Sequence, residues 1–210
     1  MKNAPLLLWF RRDLRLDDHP MLHAALATGR PLIPVFIYDA QTQALGAAAR
    51  WRLGLGLAEF ARTLQGIGSR LTLRRGDALA QLDALMGETG AAGVFWQRMY
   101  DPDSTARDAA IKAHLRAKGL IANSHAGALL IEPWHVSTGQ GGPYRVYTPF
   151  WRAVSQRDFG AALPAPQSLP SPEAWPVSES LEDWRMGADM ARGGAVVAAH
   201  AHVGAAAGRT

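Results

Sequence analysis

Between residues 5 and 123 short apolar runs alternate with longer stretches of helical periodicity. Runs at residues 5–10, 32–38, 71–73, 93–97 and 120–123 have strand length. They are nearly continuous in apolar character, as strands buried on both faces are. The stretches between them, at 20–28, 46–67, 78–86 and 102–118, predict helices. Asp18 or His19 serves as a cap before Pro20, and Gly29 suits the exit of that helix. Asp77 caps the third helix, which Gly87 or Gly90 closes, and Asp101 caps the fourth before Pro102, with Gly119 at its end. Along the long second helix Trp51, Leu53, Leu55, Leu57, Phe60, Leu64 and Ile67 cover much of the surface. Gly54 and Gly56 are expected to let it pack closely on the sheet. The βαβαβαβαβ order predicts an α/β fold: a five-stranded parallel, doubly wound sheet with helices on both faces. Right-handed crossovers favour the flavodoxin-type strand order 3-2-1-4-5.

Past residue 125 the alternation stops. Trp134, Tyr144, Tyr147, Phe150 and Trp151 crowd into a segment that also holds Gly139, Gly141, Gly142 and Pro143. Aromatic side chains in a turn-rich run predict a strap packed around the domain. The prolines from Pro164 to Pro176 bar helix and central strand alike and predict an extended connector on the surface. A short helix is expected at 181–190. Residues 193–208 are almost all Ala, Gly, Val and His and have no aromatic anchor. The expected organisation is an α/β domain at 1–130, a connector with short helices at 131–192, and at 193–210 a tail, either disordered or the start of a further domain.

Composition adds a few limits. The basic residues are nineteen Arg against three Lys, and the net charge is +4. Arginine pairs bidentately with carboxylates and phosphates and stacks on flat rings. With no Cys, disulfide and thiolate chemistry are excluded. No apolar run approaches the roughly 18 residues of a membrane span, and the first run is too short for a signal peptide. The expectation is a cytoplasmic, monomeric protein without a membrane partner.

The chemistry concentrates where strands end. The first strand runs into Arg11-Arg12-Asp13-Leu14-Arg15, the second into Tyr38-Asp39, and the fourth into Gln97-Arg98-Met99-Tyr100-Asp101. In a 3-2-1-4-5 sheet these loops meet at the topological switch point, where open α/β sheets bind ligands. Cations, carboxylates and aromatic edges together suit a flat polar or anionic ligand. The alternative is that Arg12, Asp13 and Asp39 pair with one another and with loop backbone. No GxGxxG turn follows the first strand, and no GxxxxGK[ST] motif occurs. The histidines show no credible metal spacing beyond His200 and His202 in the Ala-rich tail. No catalytic triad or paired-carboxylate site is legible, so neither a catalytic nor a metal-binding residue is assigned.

Two strings go further. W-F-R-R-D-L-R-L-x-D-x-x-x-L, from Trp9 to Leu22, resembles the opening of the DNA photolyase and cryptochrome family. G-P-Y-R-V-Y-T-P-F-W, from Gly142 to Trp151, resembles the segment that follows the α/β domain in that family, and Glu182-Asp183-Trp184 resembles an acidic-Trp element of its interdomain connector. The resemblance runs from about residue 5 to about residue 190. It implies an N-terminal antenna-binding domain of a deoxyribodipyrimidine photolyase, the light-dependent, FAD-driven enzyme that splits pyrimidine dimers. The FAD and the damaged DNA would be bound by a helical domain lying beyond this chain, which would be inactive alone. A cryptochrome-type blue-light receptor is the second reading, and a stand-alone nucleotide-binding α/β module the third. For the antenna, the resemblance implies a deazaflavin or FMN near Arg11, Phe36, Tyr38, Asp39, Arg50 and Trp51, with an empty antenna pocket as the alternative; the strand-end crevice adds Tyr100 and Asp101 to the candidate cofactor-binding residues. Arg11, Asp39, Arg50 and Trp51 are expected to line one cavity. Methenyltetrahydrofolate is less favoured: before Thr105-Ala106-Arg107-Asp108 folate-binding members carry an Asn-Glu pair, where this chain has Asp103 and Ser104.

Overall fold

All five residues of the first strand, β1 (Leu6–Phe10), are buried. Side chains alternate across a strand, so this run feeds two cores. Leu6, Leu8 and Phe10 join one, and Leu7 and Trp9 the other. The same division holds along β2 (Leu32–Tyr38), where Leu32, Phe36 and Tyr38 face one way and Ile33, Val35 and Ile37 the other. The computed structural model describes residues 4–205 and 207–209. Its remaining strands are β3 (Thr72–Arg75), β4 (Gly93–Gln97) and β5 (Ile121–His125). All neighbours pair in parallel, in the order β3-β2-β1-β4-β5. This is the expected order.

Helices α1 (Pro20–Leu26) and α3 (Ala47–Gly66) cover one face of the sheet, through Met21, Leu22, Ala25, Leu57, Phe60 and Leu64. Helices α4 (Ala78–Thr89) and α5 (Pro102–Ala117) cover the other, through Leu82, Leu85, Met86, Ile111 and Leu115. Between β2 and α3 lies α2 (Ala40–Gln43), a single turn too short for periodicity to reveal, capped by Asp39. Of the candidate caps on α1 the cap is His19, and α4 runs past Gly87 to end at Gly90, whose φ of 63° supplies the left-handed exit. Strand β3 extends two residues further than expected, through Arg74 and Arg75. Strand β5 likewise includes Ser124 and His125, which pair with Trp96 and Gln97 despite their turn-like composition. The outer carbonyls of that edge strand do not stand open: Ser124 O accepts from Arg98 (2.8 Å) and Ala122 O from Arg116 (3.3 Å). Such blocking discourages edge-to-edge pairing.

The proline-rich connector is extended and fastened to the domain. Leu32 donates to Pro170 O (2.8 Å), and Glu179 donates to Leu73 O (3.0 Å), so the connector lies along the outer edge of β3. Glu179 also accepts from the Arg75 amide (2.8 Å) and from Trp184 Nε1 (2.7 Å). Leu169, Trp184 and Met186 complete the core beneath α3. Three expectations change here. Gly54 and Gly56 serve loop and connector contacts rather than the sheet: a Cβ at Gly54 would press on Met186 at 3.1 Å, and one at Gly56 would touch Leu14 at 3.5 Å. The expected helix at 181–190 is two single 3-10 turns, Glu182–Trp184 and Ala188–Met190, parted by Arg185 at positive φ. The aromatic strap is instead a helix, α6 (Tyr147–Val154), that packs inward through Val154 and leaves Tyr147 and Trp151 exposed. Gly193 falls inside α7 (Ala191–Ala198), so the start of the Ala-rich tail is helical.

Candidate functional site

The carboxyl ends of β1, β2 and β4 meet as the sequence predicts, yet most of their charges are spent on one another. Asp13 sits two residues past Arg11 and accepts its backbone N–H at 2.8 Å. The other Asp13 oxygen lies 3.1 Å from His19 Nε2. His19 Nδ1 accepts the Leu22 amide at the start of α1, so the ring proton belongs on Nε2 and is donated to Asp13. Burial alone would raise the Asp13 carboxyl. The His19 hydrogen bond and the Arg11 amide outweigh it and hold the group below its usual range. This clasp fixes the loop between β1 and α1.

On the β2 side the crevice is filled by side chains. Arg11 donates to both oxygens of Asp108, at 2.9 and 2.7 Å, and to the Gln97 carbonyl. Burial lowers the Arg11 pKa, and the Asp108 carboxylate opposes that shift. Arg107 reaches Asp39 at 2.7 Å, Gln41 at 2.6 Å and Asp108 at 2.9 Å. Both guanidiniums lie over the Trp9 ring, 4.5 and 4.9 Å from its centre. Asp39 further caps α2 through the Thr42 amide and hydroxyl. What remains between Arg11, Phe36, Asp39, Gln41 and Arg107 is a space of about 40 Å³. That is roughly a tenth of the open space on the other side of Arg11.

On the β4 side a cleft of about 440 Å³ stays open, within the usual size range of small-molecule sites. Arg11, Arg12, Asp13 and Arg15 form one wall, Gln97 to Asp101 the other, and Gly127 and Ala128 the end. Gly127 has a φ of 136°, and a Cβ there would strike the Gln97 side chain, so only glycine fits. Its carbonyl accepts from Arg15 at 3.0 Å, and Arg15 also binds the carbonyls of Asp17 and Asp18. Arg98 and the Tyr100 hydroxyl both donate to Glu132 Oε1, at 3.0 and 2.8 Å. Burial, then the Glu132 contact, raises the Tyr100 pKa. Asp101 caps α5 through the Ser104 amide, and that bond lowers its pKa. Arg12 is different: it is exposed, no described carboxylate lies within ion-pair distance of it, and it borders the cleft and the small crevice alike.

The eight candidate cofactor-binding residues therefore divide. Arg11, Tyr100 and Asp101 border the open cleft, while Arg11, Phe36 and Asp39 border the filled crevice. Tyr38 is covered by Trp184, stacked at 5.1 Å, and by Arg75. Arg50 binds the carbonyls of Gln43 and Leu45 and pairs with Asp189 of the connector. Trp51 lines a separate groove between α3 and residues 180–188. Arg11, Asp39, Arg50 and Trp51 thus do not share one cavity. The connector, folding back over α3, claims the last two. Sequence reasoning did not assign Arg107, Asp108, Gln41 or Glu132 to the site. Arg107 and Asp108 lie about two turns beyond the Asp101 cap, on the first half of α5, and that spacing was the available signal. Glu132 sits in an irregular loop with none. Among the described residues no group of three or more His, Asp or Glu is placed to hold a metal ion, and no helix is long and apolar enough to cross a membrane.

Comparisons with known proteins agree with this architecture. The family model for DNA photolyase matches residues 6–171. Over 187 residues the chain is 47% identical to the deoxyribodipyrimidine photo-lyase of Agrobacterium fabrum, covering 89% of this chain and 39% of that protein. It is 36% identical over 162 residues to cryptochrome-1 of Arabidopsis thaliana, covering 75% of this chain and 24% of that protein. The crystal structure of a bacterial class III photolyase from Agrobacterium tumefaciens superposes with a TM-score of 0.85 at 46% identity, over 89% of this chain and 39% of that one. The chain spans about two-fifths of the length of the photolyases it matches most fully. With the strand order, the arginine-lined strand ends and these matches in agreement, the chain belongs to the DNA photolyase family.

Proposed function

We propose that this chain serves as the α/β part of a deoxyribodipyrimidine photolyase and carries an antenna chromophore in the 440 Å³ cleft beside Arg12. The observation that carries the first half is the 47% identity to a photolyase across nearly the whole chain. In this reading the repair step uses FAD held by the part of the enzyme beyond the matched region. When bound there, FAD would supply on excitation the electron that splits the dimer and would take it back afterwards. No residue of this chain is assigned to FAD, since β1 ends in bonded charges and not in a glycine-rich phosphate turn. The similarity to cryptochrome-1 supports a light-receptor reading as the second choice.

For the antenna, the residues fit a flat ring with an anionic substituent. The cleft has the volume, Arg12 offers an exposed guanidinium with no described carboxylate in ion-pair contact, and Met99 and Tyr100 line the facing wall. A deazaflavin or FMN satisfies that description and would absorb light for transfer to the FAD. Folate fits less well. Ser104 stands where folate-binding relatives carry a glutamate, and it is buried and bonded to Gln41 at 3.1 Å.

Two experiments test these readings. Residues 1–190, substituted for the matching part of the Agrobacterium photolyase, are expected to give a protein that repairs a thymine-dimer oligonucleotide in light. A folded, flavin-loaded chimera without repair rules out the photolyase assignment in favour of a receptor. Separately, FMN titrated into the 210-residue chain is expected to give a saturable fluorescence change. Arg12→Ala weakens that binding by about 1.5–3 kcal/mol, the range for a hydrogen bond to a charged group. Asp39→Ala lowers the melting temperature and leaves FMN affinity unchanged, because Asp39 holds Arg107 and caps α2. No saturable change in the wild-type chain removes the antenna assignment.

A further inference from the structure

Glu132 lies outside the sheet, in the loop after β5, and is 7% exposed. The 3-10 turn that follows it, Pro133–His135, is closed by the His135 amide, which donates to the Glu132 carbonyl at 2.9 Å. One Glu132 carboxylate oxygen takes three hydrogen bonds from the end of β4. Arg98 donates through Nε at 3.2 Å and through Nη2 at 3.0 Å, and the Tyr100 hydroxyl donates at 2.8 Å. The other oxygen is buried and meets no described donor. Arg98 Nη1 donates to the Ser124 carbonyl at 2.8 Å, and the Trp134 ring lies 5.5 Å from the guanidinium. The end of β4, the end of β5 and the following loop are thus tied together at one carboxylate.

The consequence for Tyr100 is chemical. A phenol has one proton to donate and lone pairs with which to accept. Tyr100 gives its proton to Glu132. Burial, then that contact, raises its pKa, so the phenol stays protonated at neutral pH. Tyr100 borders the 440 Å³ cleft, and Arg12 stands on the facing wall. What Tyr100 offers a ligand is therefore a lone pair, and what Arg12 offers is positive charge. We propose that the Tyr100 oxygen accepts a ring N–H of the chromophore, and that Glu132 is the positioning residue that makes it an acceptor. The proposal rests on the antenna reading of the cleft and narrows its ligand to a flat ring with an N–H edge and an anionic arm. The imide N–H of an isoalloxazine or a deazaflavin meets that description. A hydroxyl free to turn would bond donor and acceptor edges alike, and Glu132 removes that freedom. A site built to bond a substrate N–H rejects the analogue that lacks it far more strongly than an apolar pocket rejects an added group.

The test is a pair of fluorescence titrations of the 210-residue chain, one with FMN and one with N3-methyl-FMN, which has no imide N–H. The wild-type chain is expected to bind FMN at least about tenfold more tightly than the methylated flavin. Tyr100→Phe keeps the ring, loses the acceptor and leaves room for the methyl group, so the preference falls below about threefold. Glu132→Gln retains an oxygen for Arg98 and Tyr100 and keeps the preference, whereas Glu132→Ala frees the hydroxyl and loses it. The decision does not depend on Glu132→Ala being folded, because Tyr100→Phe removes one oxygen from a half-buried side chain and leaves the packing in place. Equal binding of the two flavins by the wild-type chain overturns the proposal, and so does a preference that survives Tyr100→Phe. In both cases saturable FMN binding leaves the antenna reading standing. A preference lost in Glu132→Gln overturns the positioning role of Glu132, since charge and not orientation would then be at work. No saturable FMN signal in the wild-type chain removes the antenna reading and this proposal together.

Discussion

Gly93→Ala is expected to cost about 4 kcal/mol or more, near the upper end for single substitutions, and to lower the melting temperature by roughly 10–15 °C. Gly93 opens β4 and pairs with Leu6 on one side and Ile121 on the other. A methyl group there would be driven into the Ile121 carbonyl oxygen and would come within 2.6 Å of both its carbonyl carbon and its Cβ. Carbon atoms in contact normally sit about 3.5–4.0 Å apart. The neighbour is backbone in a hydrogen-bonded ladder, so no rotamer change relieves the clash. β5 would have to move outward, and with it the Ser124 and Ala122 carbonyls that Arg98 and Arg116 block. Arg98 forms part of the cleft wall, so the damage reaches the site. Gly87→Ala is the matched control. It lies in α4 with nothing within 4 Å of a new Cβ, and alanine in an open helical position gains about 0.5–1 kcal/mol over glycine. Thermal melts of the two variants check the pair. A Gly93→Ala protein as stable as wild type would mean that β4 and β5 do not approach this closely.

How much of this was legible without coordinates differs between sheet and site. The strand order followed from apolar runs, caps and the handedness of crossovers, because each is a local or a topological constraint. The extra reach of β5 through Ser124 and His125 was hidden, since pairing with Trp96 and Gln97 overrides their weak strand propensity. The strand-end arginines were visible as a cluster, and the switch-point rule placed them in one region. Their partners were not visible. Arg107 and Asp108 come from α5, nearly a hundred residues from Arg11, and only the fold brings them to it. Arg50 and Trp51 failed to join Asp39 for a related reason. The connector, read as a surface tether, returns over α3 and engages both. Exposure of α6 also ran against its composition. Aromatic content alone predicts packing, and nothing local in the sequence tells whether the packing partner lies in the same 210 residues.

Asp108→Ala is expected to destabilise the chain by about 3–5 kcal/mol, the usual cost of removing one partner from a buried ion pair. For a chain of this size that is a fall of roughly 6–20 °C in melting temperature. The two Asp108 oxygens take hydrogen bonds from Arg11 at 2.9 and 2.7 Å and from Arg107 at 3.1 and 2.9 Å. Arg11 is 8% exposed, and without Asp108 its guanidinium keeps a hydrogen bond to the Gln97 carbonyl and the face of Trp9 but no ion pair. Arg107 retains Asp39 and Gln41, so the two arginines lose unequally. They also repel each other across the vacated position, which adds to the loss. Arg11→Met combined with Asp108→Leu removes both charges and most of the unpaired hydrogen-bonding capacity. That double variant is expected to recover much of the stability lost by Asp108→Ala, because isosteric apolar pairs often replace buried ion pairs at little cost. Chemical denaturation of the wild type, Arg11→Met, Asp108→Leu and the double variant gives the coupling energy directly. A coupling near zero would show that Arg11 and Asp108 are not partners in solution. The β2-side crevice would then be free of its filling network, and the chromophore seat would have to be reassigned from the β4 side to the β2 side of Arg11.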